Sequence, residues 1–323
     1  MNDNLTRRIE AIANAYEDIR LTTQQMVVGN LSLIEEIFIS MISGGHLLIE
    51  GVPGTAKTTI CKIIARLIDY DFRRIQGAVD VQPADIIGVR IYDQTKNDFV
   101  LQKGPIFTNF LMVDEMNRLT PKTQSALLEA MSEHQVTIDG IAFPLPDPYF
   151  AIATQNPHET EGTFALIEAQ RDRFMFSTVL THLDHAGEFE ILRREHAGEL
   201  DWEVYRDRVI PILSPADVAA MAETVRAIRV DETVLGYIRD IVLATRGHSD
   251  VRLGASSRAS IALLRGSTVR AAMNRRAYVI PDDVRALVIP ALRHRLLLSR
   301  EAAITGVTPD QIVGEILDSV EVS

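Results

Sequence analysis

The stretch GVPGTAKTT, Gly51 to Thr59, constrains the fold of this 323-residue chain more than any other. It follows the apolar run HLLIE (46–50) directly and leads into a helical stretch. It fits the phosphate-loop pattern G-x-x-x-x-G-K-[ST], with Ala56 standing where the last glycine is usual. Glycines let backbone N–H groups turn toward phosphate oxygens, and the N-terminus of the following helix adds partial positive charge. Gly51, Val52, Pro53, Gly54, Thr55 and Ala56 therefore form a candidate loop for ATP, and Lys57, Thr58 and Thr59 open the helix behind it. Lys57 supplies a point charge for the β- and γ-phosphates, and the Thr58 hydroxyl is a candidate ligand for Mg²⁺. Ala56 adds one methyl group, acceptable where its backbone keeps a helical φ/ψ. A glycine-containing turn with a chance Lys-Thr is the alternative, and the position straight after an apolar strand speaks against it.

Around this loop, short apolar runs alternate with helical stretches from His46 to about Leu180. The runs are HLLIE (46–50), FRRIQ (72–76), FLMVDE (110–115), YFAIATQN (149–156) and RFMFSTVL (173–180). Runs of this kind predict strands buried on both faces of a parallel sheet, with helical crossovers at 57–69 and 121–133. Residues 78–104 and 134–145 carry turn signals and β-branched residues, and are expected to be hairpin insertions. Beyond Thr181 only helical periodicity remains, through 187–197, 215–227, 231–246, 258–274 and 281–298. The sequence thus predicts an α/β nucleotide-binding domain over 26–185 and an all-helical domain over 186–323. Residues 1–25 form one more helix, whose stripe Leu5, Ile9, Ile12, Tyr16 and Ile19 packs on the core.

Composition bounds the function. A net charge of −11 disfavours a protein that binds nucleic acid through bulk positive charge. The lone Cys61 excludes an internal disulfide framework, and its place in the helix after the loop suits a small buried residue. With no secretory signal and no apolar stretch of ~20 residues, a cytoplasmic protein without membrane insertion is expected.

Further candidates lie at strand ends. FLMV ends in Asp114-Glu115, and open α/β sheets place ligands at strand C-termini. Asp114 suits Mg²⁺, and Glu115 suits polarising a water for attack on the γ-phosphate. YFAIATQN ends at Asn156, which could hold that water or simply turn the chain before Pro157. Arg173 in QRDRF opens the last predicted strand and could reach a neighbouring subunit's γ-phosphate, with Arg171 as its competitor. Arg258 begins a predicted helix after GASS. A cation there opposes the helix dipole, so it calls for an anionic partner: ATP phosphate, or the carboxylate of a surface ion pair.

GHLLIEGVPGTAKT, VDEMNRLTPKTQSALLEAMSEHQVTIDG, FAIATQNP, EAQRDRF and GASSRA, in this order, resemble the MoxR family of AAA+ ATPases over residues 25 to 300. The resemblance implies a five-stranded core with a helical lid and assembly into a ring, typically a hexamer. It makes Asp114-Glu115 the Walker B pair, Asn156 sensor 1, Arg173 the arginine finger and Arg258 sensor 2. It places Val27, Val28 and Gly29 around the adenine and aims both insertions at the ring pore. Arg118 becomes a candidate for the subunit interface. Ser257 stands where a proline is frequent before the sensor-2 arginine, and Asn30 where glutamine is common.

The resemblance also implies a chaperone-like remodeller that matures, assembles or inserts metal into client proteins, often with a partner carrying a von Willebrand factor A domain. The alternatives are a nucleic-acid motor and a nucleotide-gated platform with little turnover. Residues 78–104 and 134–145 each carry a net charge of −1, whereas hairpins that track a phosphate backbone should be basic. The clusters Arg275-Arg276 and Arg293-His294-Arg295 are expected on solvated helix faces or subunit contacts.

Overall fold

In the computed structural model, residues 3–52, 54–156, 162–200, 206 and 209–322 are described. Helices α1 (Asp3–Met26) and α2 (Leu31–Ile42) lead into strand β1 (Leu47–Gly51), helix α3 (Lys57–Leu67) and strand β2 (Phe72–Gln76). The first insertion is a short helix, α4 (Pro83–Ile87), followed by the antiparallel hairpin of β3 (Gly88–Asp93) and β4 (Asp98–Lys103). Then come β5 (Phe110–Asp114), α5 (Pro121–Glu133) and a second hairpin, β6 (Gln135–Ile138) with β7 (Ile141–Pro144). Strand β8 (Phe150–Gln155), the short helix α6 (Glu168–Arg171) and β9 (Phe176–Leu180) complete the α/β part. The lid follows as α7 (His185–His196), α8 (Pro215–Arg226), α9 (Glu232–Gly247), β10 (Val251–Leu253), α10 (Ser257–Met273), α11 (Pro281–Leu292), β11 (Leu297–Leu298), α12 (Arg300–Thr305) and α13 (Pro309–Ser319).

Five strands form one parallel sheet in the order β2-β5-β8-β1-β9. Successive side chains of a strand point to opposite faces, and the central strands feed two separate cores accordingly. Leu47, Ile49, Phe110, Met112, Phe150 and Ile152 join α1, α2, α3 and the lid helices in one cluster. Leu48, Leu111, Val113, Ala151 and Ala153 join α5 and the insertions in the other. Helix starts are set locally. Thr120 and Ser256 accept N-cap bonds, and Ser214 and Thr308 form capping boxes with Asp217 and Gln311 ahead of Pro215 and Pro309.

Helix α1 bridges the two parts. Ile9, Ile12 and Ile19 are at most 2% exposed, and the helix packs against α2 and α3 on one side and α8 and α10 on the other. The ion pair Arg270–Glu35 also ties α10 to α2.

Four expectations are corrected. FRRIQ is an edge strand whose Arg73, Arg74 and Gln76 are exposed, because β2 has only β5 beside it. The last strand begins at Phe176, so Arg173 lies in the turn after α6 and not on the strand. The lid is not all-helical: β10 and β11 pair antiparallel, two elements too short to leave a periodic signal. The basic clusters are only partly solvated, with Arg275 alone of their five residues exposed. Arg276 forks onto the buried Asp283, Arg275 donates to Asn14 of α1, and His294 and Arg295 are 3% and 7% exposed.

Candidate active site

The loop between β1 and α3 is shaped to offer its amides. Gly54 has φ +83° and Ala56 has φ +58° with ψ +17°, both left-handed. The Ala56 conformation corrects the expectation of a helical φ/ψ. The loop requires the left-handed region here, where a residue with a Cβ pays about 1–2 kcal/mol. Ala56 is the N-cap of α3 and provides no side-chain cap, and the first turn holds no acid. The helix therefore presents uncapped N–H donors beside Lys57, a ready anion site. At the other end of the loop, Gly51 pairs with Leu180, and a Cβ there would meet the Leu180 carbonyl oxygen at 2.7 Å. Lys57 Nζ donates to the carbonyls of Gly51 (3.0 Å) and Val52 (2.8 Å), and Thr55 Oγ1 to that of Val52 (3.2 Å). Pro53 and residues 157–161 lie outside the described residues.

Beside the loop is a cavity of about 200 Å³. Met26, Val27, Val28, Thr55 and Thr59 line one side, and Thr181, His182, Leu183, Glu188 and Ile191 the other. Gly29, with φ +75°, passes so close to Leu183 that a Cβ would lie 2.7 Å from its Cδ2. The wall after β9 went unnoticed in the sequence, where Thr181–Leu183 carry no motif.

Two carboxylates stand at the end of β5. Thr154 Oγ1 donates to Asp114 Oδ1 at 2.5 Å and accepts the Glu115 N–H at 2.9 Å, so one hydroxyl of β8 fixes both residues. Glu115 is left-handed, φ +54°, which turns the chain sharply away from the sheet. Arg74 Nη2 donates to Asp114 Oδ2 (2.5 Å) and Gln76 Nε2 to Glu115 Oε2 (3.0 Å). Arg118 Nη1 lies 3.8 Å from Glu115 Oε2, so this arginine meets the catalytic candidate of its own chain. Arg74 and Gln76 were missed in the sequence, although three of the five residues of their strand, FRRIQ, are polar. Burial lowers the Lys57 pKa from its usual value, and Asp114 and Glu115 oppose that shift. The two carboxylates are thus within electrostatic reach of Lys57. Asp114 also contributes, after burial, to the raised pKa of the buried Cys61 thiol. Asn156 follows the last residue of β8, half-buried, between the ends of β1 and β5.

The arginines form a different group. Arg173 is exposed; its Nε donates to Ser132 Oγ and its Nη1 to the Ala169 carbonyl, both at 3.1 Å. The Arg171 Nε is buried without a partner. Arg258 Nη1 lies 3.5 Å from Asp172 Oδ2, and its described contacts include no residue of the phosphate loop. Of the two anionic partners expected for Arg258, the chain provides a carboxylate.

Uncapped helix donors, Lys57, the Thr58 hydroxyl and Asp114 suit a nucleoside triphosphate with Mg²⁺: the donors match phosphate oxygens, and hard oxygen ligands match the cation. Sheet order, phosphate loop, paired acids and helical lid together define a P-loop ATPase with a lid. The family described as "ATPase family associated with various cellular activities (AAA)" matches residues 46–176, and the AAA lid domain matches 243–316. YeaC of Bacillus subtilis is 39% identical, covering 92% of each chain. Chaperone MoxR1 of Mycobacterium tuberculosis is 37% identical over 98% of this chain and 84% of its own. A crystal structure from Cytophaga hutchinsonii superimposes with a TM-score of 0.89 at 38% identity, over 98% of this chain and 97% of that one. The chain belongs to the MoxR family of AAA+ ATPases.

Proposed function

We propose that this protein is an Mg²⁺-dependent ATP hydrolase that works as a homo-oligomeric ring, remodelling client proteins in the manner of a chaperone. The observation that carries the reading is the uncapped N-terminus of α3, with Asp114 and Glu115 at the end of β5 within electrostatic reach of Lys57. In this reading Gly51 through Thr59 hold the phosphates, Val28 and Gly29 border the adenine, and Thr58 and Asp114 hold Mg²⁺. Bound there, Mg²⁺ would neutralise charge developing on the β- and γ-phosphates. Glu115 takes the proton of the attacking water, Asn156 orients that water, and Lys57 draws charge toward the leaving group. Arg258 reaches the γ-phosphate from the lid, and Arg173 reaches that of a neighbouring subunit.

A chaperone role is supported by the name of the Mycobacterium relative. The family resemblance supports a hexamer and a client engaged through a von Willebrand factor A domain partner. Both insertions lack the positive charge a nucleic-acid motor needs. Among the described residues no helix is long and apolar enough to cross a membrane, and a cytoplasmic location is part of the proposal.

The test is phosphate release by the purified protein with Mg²⁺ and with EDTA. We expect turnover that EDTA stops, that Lys57→Ala loses together with ATP binding, and that Glu115→Gln loses while still binding ATP. Binding without turnover in the wild type would favour the nucleotide-gated platform.

A further inference from the structure

Asp172 lies in the turn between α6 and β9, flanked by the two finger candidates Arg171 and Arg173. Three lid residues donate to its carboxylate: Ser256 Oγ at 2.9 Å to each oxygen, Arg295 Nε at 2.9 Å to Oδ1, and Arg258 Nη1 at 3.5 Å to Oδ2.

The two arginines are held very differently. The Arg295 side chain is only 2% exposed. Its guanidinium also donates to the carbonyls of Asp172 (3.2 Å), Phe174 (2.6 Å), Met175 (3.0 Å) and Ala291. His294 joins it through Nε2 at 3.1 Å from the Phe174 carbonyl, kept neutral by burial and by Arg295 beside it. Together they clamp residues 172–175 to the lid. Arg258, by contrast, has a side chain 53% exposed and this single long contact to a side chain.

One carboxylate therefore serves two guanidinium groups. The cluster keeps an excess positive charge, and Arg258 lowers the affinity of Arg295 for its proton. An additional anion near Arg258 would balance it, and Arg258 is the partner free to turn toward one. The lid also lies directly on β9: a Cβ on Gly266 of α10 would meet Phe176 Cζ at 2.9 Å. A change in lid position is thus felt at the strand that the turn opens.

We infer that Asp172 is a positioning residue that holds Arg258 in competition with the γ-phosphate of bound nucleotide, and that this exchange is transmitted through the Arg295 clamp to the turn bearing Arg171 and Arg173. The inference rests on the proposed ATP site, and deepens it by linking the lid arginine of a subunit to the finger it offers its neighbour.

The test compares ATPγS and ADP on the full-length protein. Asp172→Asn should bind ATPγS about three- to fivefold more tightly, with ADP unchanged, as expected for losing one exposed ion pair that competes with the ligand. Adding Arg258→Ala should remove that gain. Equal shifts for both nucleotides, or a gain that survives Arg258→Ala, would overturn the inference. A second measurement does not depend on the stability of Asp172→Asn. Hydrogen exchange of the segment 168–176 should respond to ATPγS and not to ADP in the wild type, and to neither in Arg258→Ala. The same response in both proteins would overturn the link. Failure of the wild type to bind either nucleotide would reject the ATP reading itself.

Discussion

Gln76 Nε2 lies 3.0 Å from Glu115 Oε2, across two adjacent strands whose register pairs Gln76 with Asp114. The amide donates to the carboxylate and so occupies an acceptor site on the oxygen that would take the proton of an attacking water. It also draws Glu115 toward the sheet edge. Gln76→Ala should therefore raise kcat for phosphate release about fivefold with KM unchanged, the equivalent of one hydrogen bond of ~1 kcal/mol. Steady-state phosphate assays decide the matter, and an unchanged or lower kcat would mean that Gln76 does not restrain Glu115.

Ala56 yields a stability prediction. Its φ of +58° is where glycine is at ease and an L-residue is not. Ala56→Gly should relieve about 1 kcal/mol of strain, raising Tm by about 1–3 °C. Calorimetry on the nucleotide-free protein reads this, and a lower Tm would show that the unfolded chain gains more freedom than the loop loses strain.

The sequence made the scaffold legible because its signals are local. Central strands are unbroken apolar runs, helix starts carry their own caps, and the phosphate loop is contiguous. What escaped is held by partners distant along the chain. Arg295 reads as one member of a basic cluster on a helix, yet its carboxylate partner is 123 residues away. Arg74 and Gln76 read as ordinary edge-strand residues until the parallel register sets them against Asp114 and Glu115, 40 and 39 residues on. Arg258 could be assigned an anion by its helix position alone, but not which one. The Ala56 backbone angle could not be read from its identity, because the loop and not the residue imposes it.

Two buried groups should shape the pH dependence of stability. Burial pushes the Glu36 carboxyl up to about 8, with Arg293 opposing, so the folded chain keeps a proton that the unfolded chain releases above its ordinary value. Glu36 therefore removes stability as pH rises from about 4.5 to 8. Burial pushes His46 down to about 4; its ring meets the Met131 carbonyl at 2.8 Å and the Ala151 N–H at 3.1 Å. His46 therefore removes stability as pH falls from about 6.5 to 4. His294, also held well below its ordinary value, acts in the same direction. Denaturation midpoints should peak near pH 6–6.5, where these slopes of ~1.4 kcal/mol per pH unit per group meet. Glu36→Gln should flatten the fall between pH 6.5 and 8 and steepen the rise between about 4.5 and 6.5, where its slope no longer offsets that of the histidines. A fall of the same slope in Glu36→Gln would locate the titrating group elsewhere.

The exposed Arg173 and the half-buried Arg171 differ in what a neighbouring subunit could use. Arg173 spends its guanidinium on Ser132 and the Ala169 carbonyl, contacts at the surface that can be exchanged for phosphate. Arg171 would have to withdraw a buried Nε first. Arg173→Ala should thus lower kcat by at least ~100-fold while ATP binding persists, with Arg171→Ala much milder. If the finger acts between subunits, Lys57→Ala contributes an intact Arg173 but an empty site, and Arg173→Ala an intact site without a finger. Each alone should be nearly inactive, and co-assembled rings should regain turnover, because some interfaces then unite a working site with a working arginine. Mixed rings that form and stay inactive, beside an active wild type, would place the trans-acting charge on a residue other than Arg173.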